Sequence, residues 1–203
     1  HSLYLSPVVH IARLFMHTKT GEKAMNRLLG YHREDLPILH IPGAVDSCYT
    51  HFFCNGSYNS VEDAWNHGNQ ISKALGGASV NVIYNPTHGH RDVFEAFFQN
   101  ICGLKTPPSY ALYSAIEQTI QDNKDAIIWG HSQGGTVVYH ALAMLTPEQR
   151  EHVSAYTLGS FNLIPDSYAK DVVNYVAPGD PVPKVGDPFK FFSSRTNVHK
   201  LEG

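Results

Sequence analysis

The sequence contains few cysteines, few charged residues and no long apolar run. Its 203 residues include three cysteines, Cys48, Cys54 and Cys102. Their number is odd and none forms a C-x-x-C pair, so we expect neither a zinc site nor a disulfide framework. No apolar run reaches the roughly 20 residues needed to cross a bilayer, so no transmembrane segment is expected. We expect Cys54, at the end of an apolar run, to be a small core residue.

Lysine and arginine are too scattered to form a binding surface for nucleic acid. The formal net charge is -3 and charged residues make up 16% of the chain, so no nucleic-acid partner is expected. An apolar content of 42% is typical of a globular protein, and we expect one domain over residues 1–203. The first residues lack an initiator Met and the features of a signal peptide. A piece of a longer protein is therefore one alternative, and the sequence leaves the compartment and the oligomeric state open.

Short apolar runs alternate with longer segments in which apolar residues recur at helical spacing. The predicted strands are 36–41, 51–54, 80–84, 126–129, 153–158, 172–176 and 189–192. The predicted helices are 60–75, 92–101, 109–123 and 134–145, with a helical N-terminal arm over 1–35. This alternation predicts an α/β fold with a mostly parallel sheet, helices on both faces and no large lid. Ligands bind at the carboxyl ends of the strands in such sheets, so functional residues should follow the strands.

The segment GHSQGG places Ser132 between a predicted strand and a predicted helix. Gly130-His131-Ser132-Gln133-Gly134 fits G-x-S-x-G, in which a nucleophilic serine occupies a sharp strand-to-helix turn and the glycines avoid clashes. The helix directs its positive end at this turn, and the backbone N–H of Gln133 can donate to an oxyanion. Ser132 is therefore the predicted nucleophile, and an ordinary glycine-rich turn is the alternative.

A serine nucleophile needs an acid and a base, which follow such a motif in the order Asp or Glu, then His. His199 lies beyond the predicted strands and is the predicted base, whereas His152 precedes a strand and should lie at the opposite end of the sheet. Asp180 follows strand 172–176 in a Pro-Gly-Asp-Pro turn and is the predicted acid. Asp166, one strand earlier, is the rival, and the Pro-Gly-Asp-Pro segment could also be no more than a turn.

A second oxyanion donor is expected in the loop after an early strand. Asn55 and Gly56 follow strand 51–54, and Ser57 and Tyr58 come next, ahead of a helix. The backbone N–H of Ser57 or Tyr58 should point inward, with Asn55 and Gly56 in the pocket wall. An ordinary tight turn is the alternative.

The remaining histidines have no motif that makes them catalytic. His88 and His90 follow strand 80–84 and are predicted to line the pocket wall. A H-x-H pair in a loop is far more often plain loop than a metal site, so we expect neither a metal nor a cofactor. We expect His131 and His140 to be packed and hydrogen-bonded, and neither to be the base.

The second half of the chain resembles the lipase and esterase branch of the α/β-hydrolase superfamily, in particular the class 3 lipases. The resemblance is carried by GHSQGG with VVYHAL, by AYTLGSFNLIPD, by APGDPVPKV and by the late histidine before KLEG. These segments span about residues 126–203. The resemblance implies that Ser132, Asp180 and His199 act as nucleophile, acid and base on lipid-like or other carboxylic esters.

The first half departs from the class 3 pattern. Its segments CNGSYNS and YNPTHGHRD resemble an uncharacterised group of hydrolase-like proteins of chlamydia-type intracellular bacteria, which leaves the oxyanion residues and the substrate open. The resulting hypothesis is a serine hydrolase that cleaves a small-molecule or lipid-like ester without a cofactor. An acyltransferase or thioesterase would use the same machinery. A non-catalytic binding or effector module of the same fold is the alternative from another class.

Overall fold

The computed structural model describes residues 38–86, 103–183 and 198–200, together with Thr18, Lys19 and Lys23. Seven strands within these residues form one sheet. The strands are β1 Ile38–Ile41, β2 Tyr49–Cys54, β3 Val80–Ile83, β4 Asp125–His131, β5 Val153–Leu158, β6 Asp171–Val176 and β7 Val198–Lys200.

The sheet is parallel except at one edge. Its strand order is β1-β3-β2-β4-β5-β6-β7, and only β1 runs antiparallel to its neighbour, β3. The predicted mostly parallel α/β architecture is therefore confirmed. Because parallel strands end at the same edge of a sheet, the loops after Cys54, His131, Leu158 and Val176 lie together. Most of the predicted site residues are found in these loops or at these strand ends.

In the described part of the chain, three helices of more than ten residues cover this sheet. They are α1 Val61–Ala74, α2 Pro107–Gln121 and α3 Gln133–Met144. Helix α2 begins two residues earlier than predicted, because Pro107 and Pro108 occupy its first turn, where a missing N–H breaks no helical hydrogen bond. The sequence analysis missed α4 Pro147–Arg150 and a 3-10 helix, Asp166–Tyr168. Both are too short to show a helical period.

The apolar core is divided between the two faces of the sheet. Helices α2 and α3 pack on one face through side chains such as Leu112, Val138 and Leu142, which are fully buried. Helix α1 packs on the other face, where Ala64 lies among residues of β1, β2 and β3. Cys54 is completely buried, as predicted, and this burial raises the pKa of its thiol.

Several predicted elements lie outside the described residues. They are the helix 92–101, the strand 189–192, nearly all of the N-terminal arm 1–35, and Cys102. In the part of the chain that is described, no helix combines the length and the hydropathy needed to cross a bilayer.

Asn174 in β6 joins this strand to the loop that follows β5. Its side chain is fully buried, accepts hydrogen bonds from the Thr157 hydroxyl at 2.8 Å and the Ile164 N–H at 3.0 Å, and donates to the Ile164 carbonyl at 3.0 Å. A buried amide that is bonded in this way holds two backbone groups that would otherwise lose their partners.

Replacing Asn174 with alanine is expected to lower the free energy of unfolding by about 3 kcal/mol, because it leaves buried donors and acceptors unsatisfied. Urea denaturation would measure the loss. The matched control is Asn69→Ala, which removes an exposed amide whose hydrogen bond to the Trp65 carbonyl faces solvent, and which should change stability by less than about 0.5 kcal/mol. Equal effects of the two substitutions would contradict this role for Asn174.

Candidate active site

Ser132 occupies the turn between β4 and α3 in a conformation that serine rarely adopts. Its backbone φ is 52° and its ψ is -121°. Three backbone hydrogen bonds fix the turn. The Ser132 N–H donates to the Leu158 carbonyl at 3.0 Å, and the Ser132 carbonyl accepts from the Gly135 N–H at 3.1 Å and from the Phe161 N–H at 3.4 Å. A positive φ at a residue with a Cβ stores strain, and such strain concentrates at functional sites. The predicted strand and helix on either side of this turn are both present.

Close backbone packing explains the glycine after Gln133. A Cβ on Gly134 would lie 2.1 Å from the Cys54 carbonyl oxygen and 2.7 Å from that of Asn55, so only glycine fits there without a shift of the backbone. The first turn of α3 can therefore approach the carboxyl end of β2 closely. This approach brings Ser132 next to the loop that follows β2.

The loop after β2 is fixed by a buried asparagine. The side chain of Asn55 is fully buried, donates to the carbonyls of Gly56 at 3.0 Å and Asn85 at 2.9 Å, and accepts from the Asn85 N–H at 2.7 Å. Asn55 therefore supports the loop from inside. Gly56 faces the turn, since a Cβ there would lie only 3.0 Å from both the Ser132 Cβ and the His131 Nδ1.

A side-chain hydrogen bond joins the two predicted oxyanion segments. The Ser57 hydroxyl donates to the Gln133 Oε1 at 2.6 Å, and Gln133 is buried. Gln133 is the first residue of α3, and the N–H groups of a first helical turn have no partner within the helix. Tyr58, the other predicted donor, has a φ of 59° and an exposed side chain. The structure thus brings Ser57 and Gln133 together.

The contact between Ser57 and Gln133 was not predicted. The sequence analysis gave Gln133 a role through its backbone alone, whereas its side-chain amide also holds the Ser57 loop in place. The two residues are 76 positions apart, so no local pattern could have indicated the contact. It depends on β2 and β4 being neighbours in the sheet.

Asp180 is presented by a tight turn at the end of β6. The Asp180 N–H donates to the Ala177 carbonyl at 3.1 Å, and Gly179 has a φ of 79°, as in a type II turn with proline and glycine at its centre. The Asp180 carboxylate accepts from the Val182 N–H at 2.9 Å. Asp166 is exposed in the 3-10 helix, only a few residues before the amino end of β6. Asp180, unlike Asp166, lies at the same edge of the sheet as Ser132.

A cleft of about 220 Å³ lies between Asp180 and the end of β4. It is lined by His131, Leu158, Gly159, Tyr175, Ala177 and Asp180. These residues come from the ends of β4, β5 and β6 and from the turn after β6. The ends of the predicted strands 153–158 and 172–176 are thus part of the site, although the sequence analysis assigned them no function.

His131 lines this cleft and is exposed, whereas the sequence analysis expected it to be packed and hydrogen-bonded. It is the last residue of β4. The buried residues of that strand lie on the face of the sheet that α3 covers, and His131 lies on the other face. Partial burial and the nearby His67 lower the pKa of its imidazole, while the Asp180 carboxylate acts in the opposite direction. His140 is buried beside Tyr139, as predicted. His152 binds Asp125 at the opposite end of β4, also as predicted.

His199 lies within β7, whereas the sequence analysis placed it after the last strand. The strand has three residues, too few to show an alternating pattern. The strand register aligns His131, Leu158, Tyr175 and His199 across four neighbouring strands. Three strand spacings therefore separate His199 from His131, about 14 Å between their Cα atoms. The His199 ring packs edge-to-face on Tyr175 with 5.4 Å between ring centroids.

The structure brings some of the predicted residues together and not others. Ser132 and Asp180 lie at one edge of the sheet, on either side of the β5 end. Among the described residues, no hydrogen bond joins Ser132, Asp180 and His199 to one another. His199 packs on Tyr175, which lines the cleft.

The predicted pocket-wall residues His88 and His90 lie outside the described residues. Within the described ranges, no three residues among the histidines, cysteines, aspartates and glutamates are grouped as a metal site would require.

Comparison with known proteins gives a match in structure only. No family model matches the chain, and no curated protein matches it in sequence. The solved structure of a Trichoderma reesei cutinase in complex with a C11Y4 phosphonate inhibitor is similar to this chain. The match covers 89% of this chain and 80% of the cutinase chain. The TM-score is 0.50 and the sequence identity is 19%.

The chain has the α/β-hydrolase fold. At 19% identity the likeness to the cutinase shows this fold alone, because one fold hosts many unrelated activities. The resemblances to class 3 lipases and to the chlamydial proteins rest on the sequence segments alone. The function of the chain therefore depends on the chemistry of its site.

Proposed function

We propose that this chain is a serine hydrolase of carboxylic esters. The observation that carries the proposal is the strained backbone of Ser132 at a strand-to-helix turn. This turn lies beside Ser57 and Gln133, whose side chains are hydrogen-bonded to each other. A hydroxyl at such a turn is exposed to substrate and lies at the positive end of a helix. The structural likeness to a cutinase supports an ester hydrolase at the level of the fold.

The reaction follows the general scheme of serine hydrolases. The Ser132 oxygen attacks the ester carbonyl while the base takes its proton, and the carbonyl oxygen becomes an oxyanion. The backbone N–H groups of Gln133 and of Ser57 or Tyr58 would stabilise this oxyanion. The base then gives the proton to the alcohol that leaves, and an acyl group remains on Ser132. Water, deprotonated by the same base, releases the acid and regenerates the hydroxyl.

Asp180 and His199 are the proposed acid and base. Asp180 lies on the cleft wall at the same sheet edge as Ser132, where its carboxylate can orient an imidazole. His199 is the histidine that follows Asp180 in the sequence, and its ring packs on Tyr175 at the rim of the same cleft. Proton transfer requires that this imidazole come within hydrogen-bonding distance of Ser132 and Asp180.

A fluorophosphonate probe tests the proposal directly. We expect the probe to modify the folded protein at Ser132, with the modified residue identified by peptide mass spectrometry, because only an activated serine attacks the phosphorus readily. Ser132→Ala should not react, whereas Ser154→Ala, which removes a hydroxyl near the amino end of β5, should react as the wild type does. A folded wild type that ignores the probe would instead support a non-catalytic binding module.

A further inference from the structure

The two carboxylate oxygens of Asp180 differ in their surroundings. Oδ1 accepts from the Val182 N–H at 2.9 Å. Oδ2 lies against Gly159, 2.9 Å from where a Cβ on that glycine would be, and Gly159 lines the cleft. Among the described residues no hydrogen-bond donor contacts Oδ2. This oxygen is therefore the one that remains to accept a hydrogen bond from an imidazole.

His131 presents an imidazole to the cleft that Asp180 lines. Both residues contribute to its wall, and the charge of Asp180 acts on the His131 ring. The ring is positioned by the loop after β2, because its Nδ1 lies 3.0 Å from where a Cβ on Gly56 would be. In the described part of the chain, neither ring nitrogen of His131 has a hydrogen-bond partner. Asp180 thus has a neighbouring imidazole besides the proposed base.

The titratable groups around His131, within the described residues, come from α1, from β6 and from the turn after β6. Helix α1 contributes His67, which acts electrostatically on His131, and Asp63 lies one turn before His67. Strand β6 contributes Tyr175, and the turn contributes Asp180. Asp180 is the carboxylate that shares the cleft with His131. A positive charge on His131 is therefore attracted to Asp180 and repelled by a charged His67.

The His131 imidazole is uncharged at neutral pH. Partial burial lowers the pKa of this imidazole and so does the nearby His67, while Asp180 acts in the opposite direction. A histidine whose pKa lies below the ordinary range gains its proton only when the pH falls into the acid range. The charged ring carries two N–H donors and attracts a carboxylate, whereas the neutral ring carries one. Acid therefore turns His131 into a competitor for Asp180.

We propose that His131, once protonated, binds Asp180 and withdraws this carboxylate from the catalytic base, so that the hydrolase switches off in acid. The inference rests on the proposed function, since Asp180 must be the acid that orients the base. His131 is a positioning residue in this scheme, because it acts on the reaction through Asp180. Two imidazoles compete for the Oδ2 of Asp180, and the proton on His131 decides between them.

A pH–rate profile tests this competition. The kcat/KM for dissolved p-nitrophenyl butyrate should fall about a hundredfold per pH unit at the acid end in the wild type, because two imidazoles must be unprotonated for activity. In His131→Gln the fall should be about tenfold per pH unit, since only the base still titrates. Tryptophan fluorescence, recorded at each pH, confines the comparison to the range in which both proteins are folded.

His152→Gln is the matched control for His131→Gln. His152 binds Asp125 at the opposite end of β4, so the profile of this variant should follow that of the wild type. A fall of only tenfold per pH unit in the wild type would overturn the proposal. A hundredfold fall that persists in His131→Gln, or that is lost equally in the control, would overturn it too.

The pairing of His131 with Asp180 can be measured without turnover. The His131 ring protons are identified by their absence from the NMR spectrum of His131→Gln. They should titrate with a lower midpoint in Asp180→Asn than in the wild type, because the amide no longer stabilises the imidazolium. Asp166→Asn should leave the midpoint unchanged. An equal midpoint in the wild type and in Asp180→Asn would refute the pairing. If the wild type hydrolyses no ester while the midpoint depends on Asp180, the proposed function fails and the pairing stands.

Discussion

Replacing His199 with alanine is expected to lower kcat for p-nitrophenyl butyrate by up to about a millionfold, because no group would then accept the proton of Ser132. The substitution should leave the fold intact, since His199 is exposed on a strand of three residues. Initial rates measure the loss of activity. The melting temperature of the variant, compared with that of the wild type, shows whether the protein is still folded.

His131→Ala is the comparison that makes this result decisive. His131 shares the cleft with Asp180, and His199 lies three strands away from it in the sheet. If His199 is the base, His131→Ala should lower kcat by less than about tenfold, well under the 10²- to 10⁴-fold contribution of general acid–base catalysis. A large loss in His131→Ala, with His199→Ala still active, would make His131 the base and would refute the order Ser, Asp, His.

Replacing Asp180 with asparagine is expected to lower kcat for the same ester by about ten-thousandfold. An amide cannot stabilise the imidazolium that forms during the reaction, and it favours the wrong tautomer of the base. The geometry of the turn should survive, because the asparagine oxygen can still accept the Val182 N–H that Asp180 accepts at 2.9 Å. Steady-state rates, together with urea denaturation, would separate a loss of catalysis from a loss of stability.

Asp166→Asn is the matched control for Asp180. The Asp166 carboxylate is exposed in the 3-10 helix near the amino end of β6, far from the edge that carries Ser132. We expect kcat to change by less than about twofold, as for a surface residue outside any site. A loss of activity in Asp166→Asn, with Asp180→Asn unaffected, would move the acid to the earlier loop.

The parts of the fold that the sequence predicted are those set by local patterns. The helix predicted over 60–75 is present as α1, and a local capping box of Ser60 and Asp63 fixes its start. The short run 153–158 was predicted as a strand and forms β5 with those bounds. The pattern around Ser132 requires a strand, a turn and a helix within one short segment, so a single window contains the full signal.

The parts that could not be predicted depend on contacts between distant segments. The hydrogen bond from Ser57 to Gln133 exists because β2 and β4 pair in the sheet, and the spacing of residues contains no signal for that pairing. His131, next to the predicted nucleophile, was expected to be packed, yet it is exposed at the end of β4. Its exposure follows from which side of the sheet α3 covers, which is a property of the assembled fold.

The conformation of Ser132 has a consequence for how the protein would respond to selection. Glycine would adopt a φ of 52° without the strain of about 1–3 kcal/mol that such a backbone imposes on a residue with a Cβ. Directed evolution for heat tolerance alone would therefore favour glycine at this position and discard the hydroxyl early. A scaffold used only for binding would gain from the same exchange. The chain instead has a serine where its own backbone disfavours one, as the proposed attack by that oxygen on an ester requires.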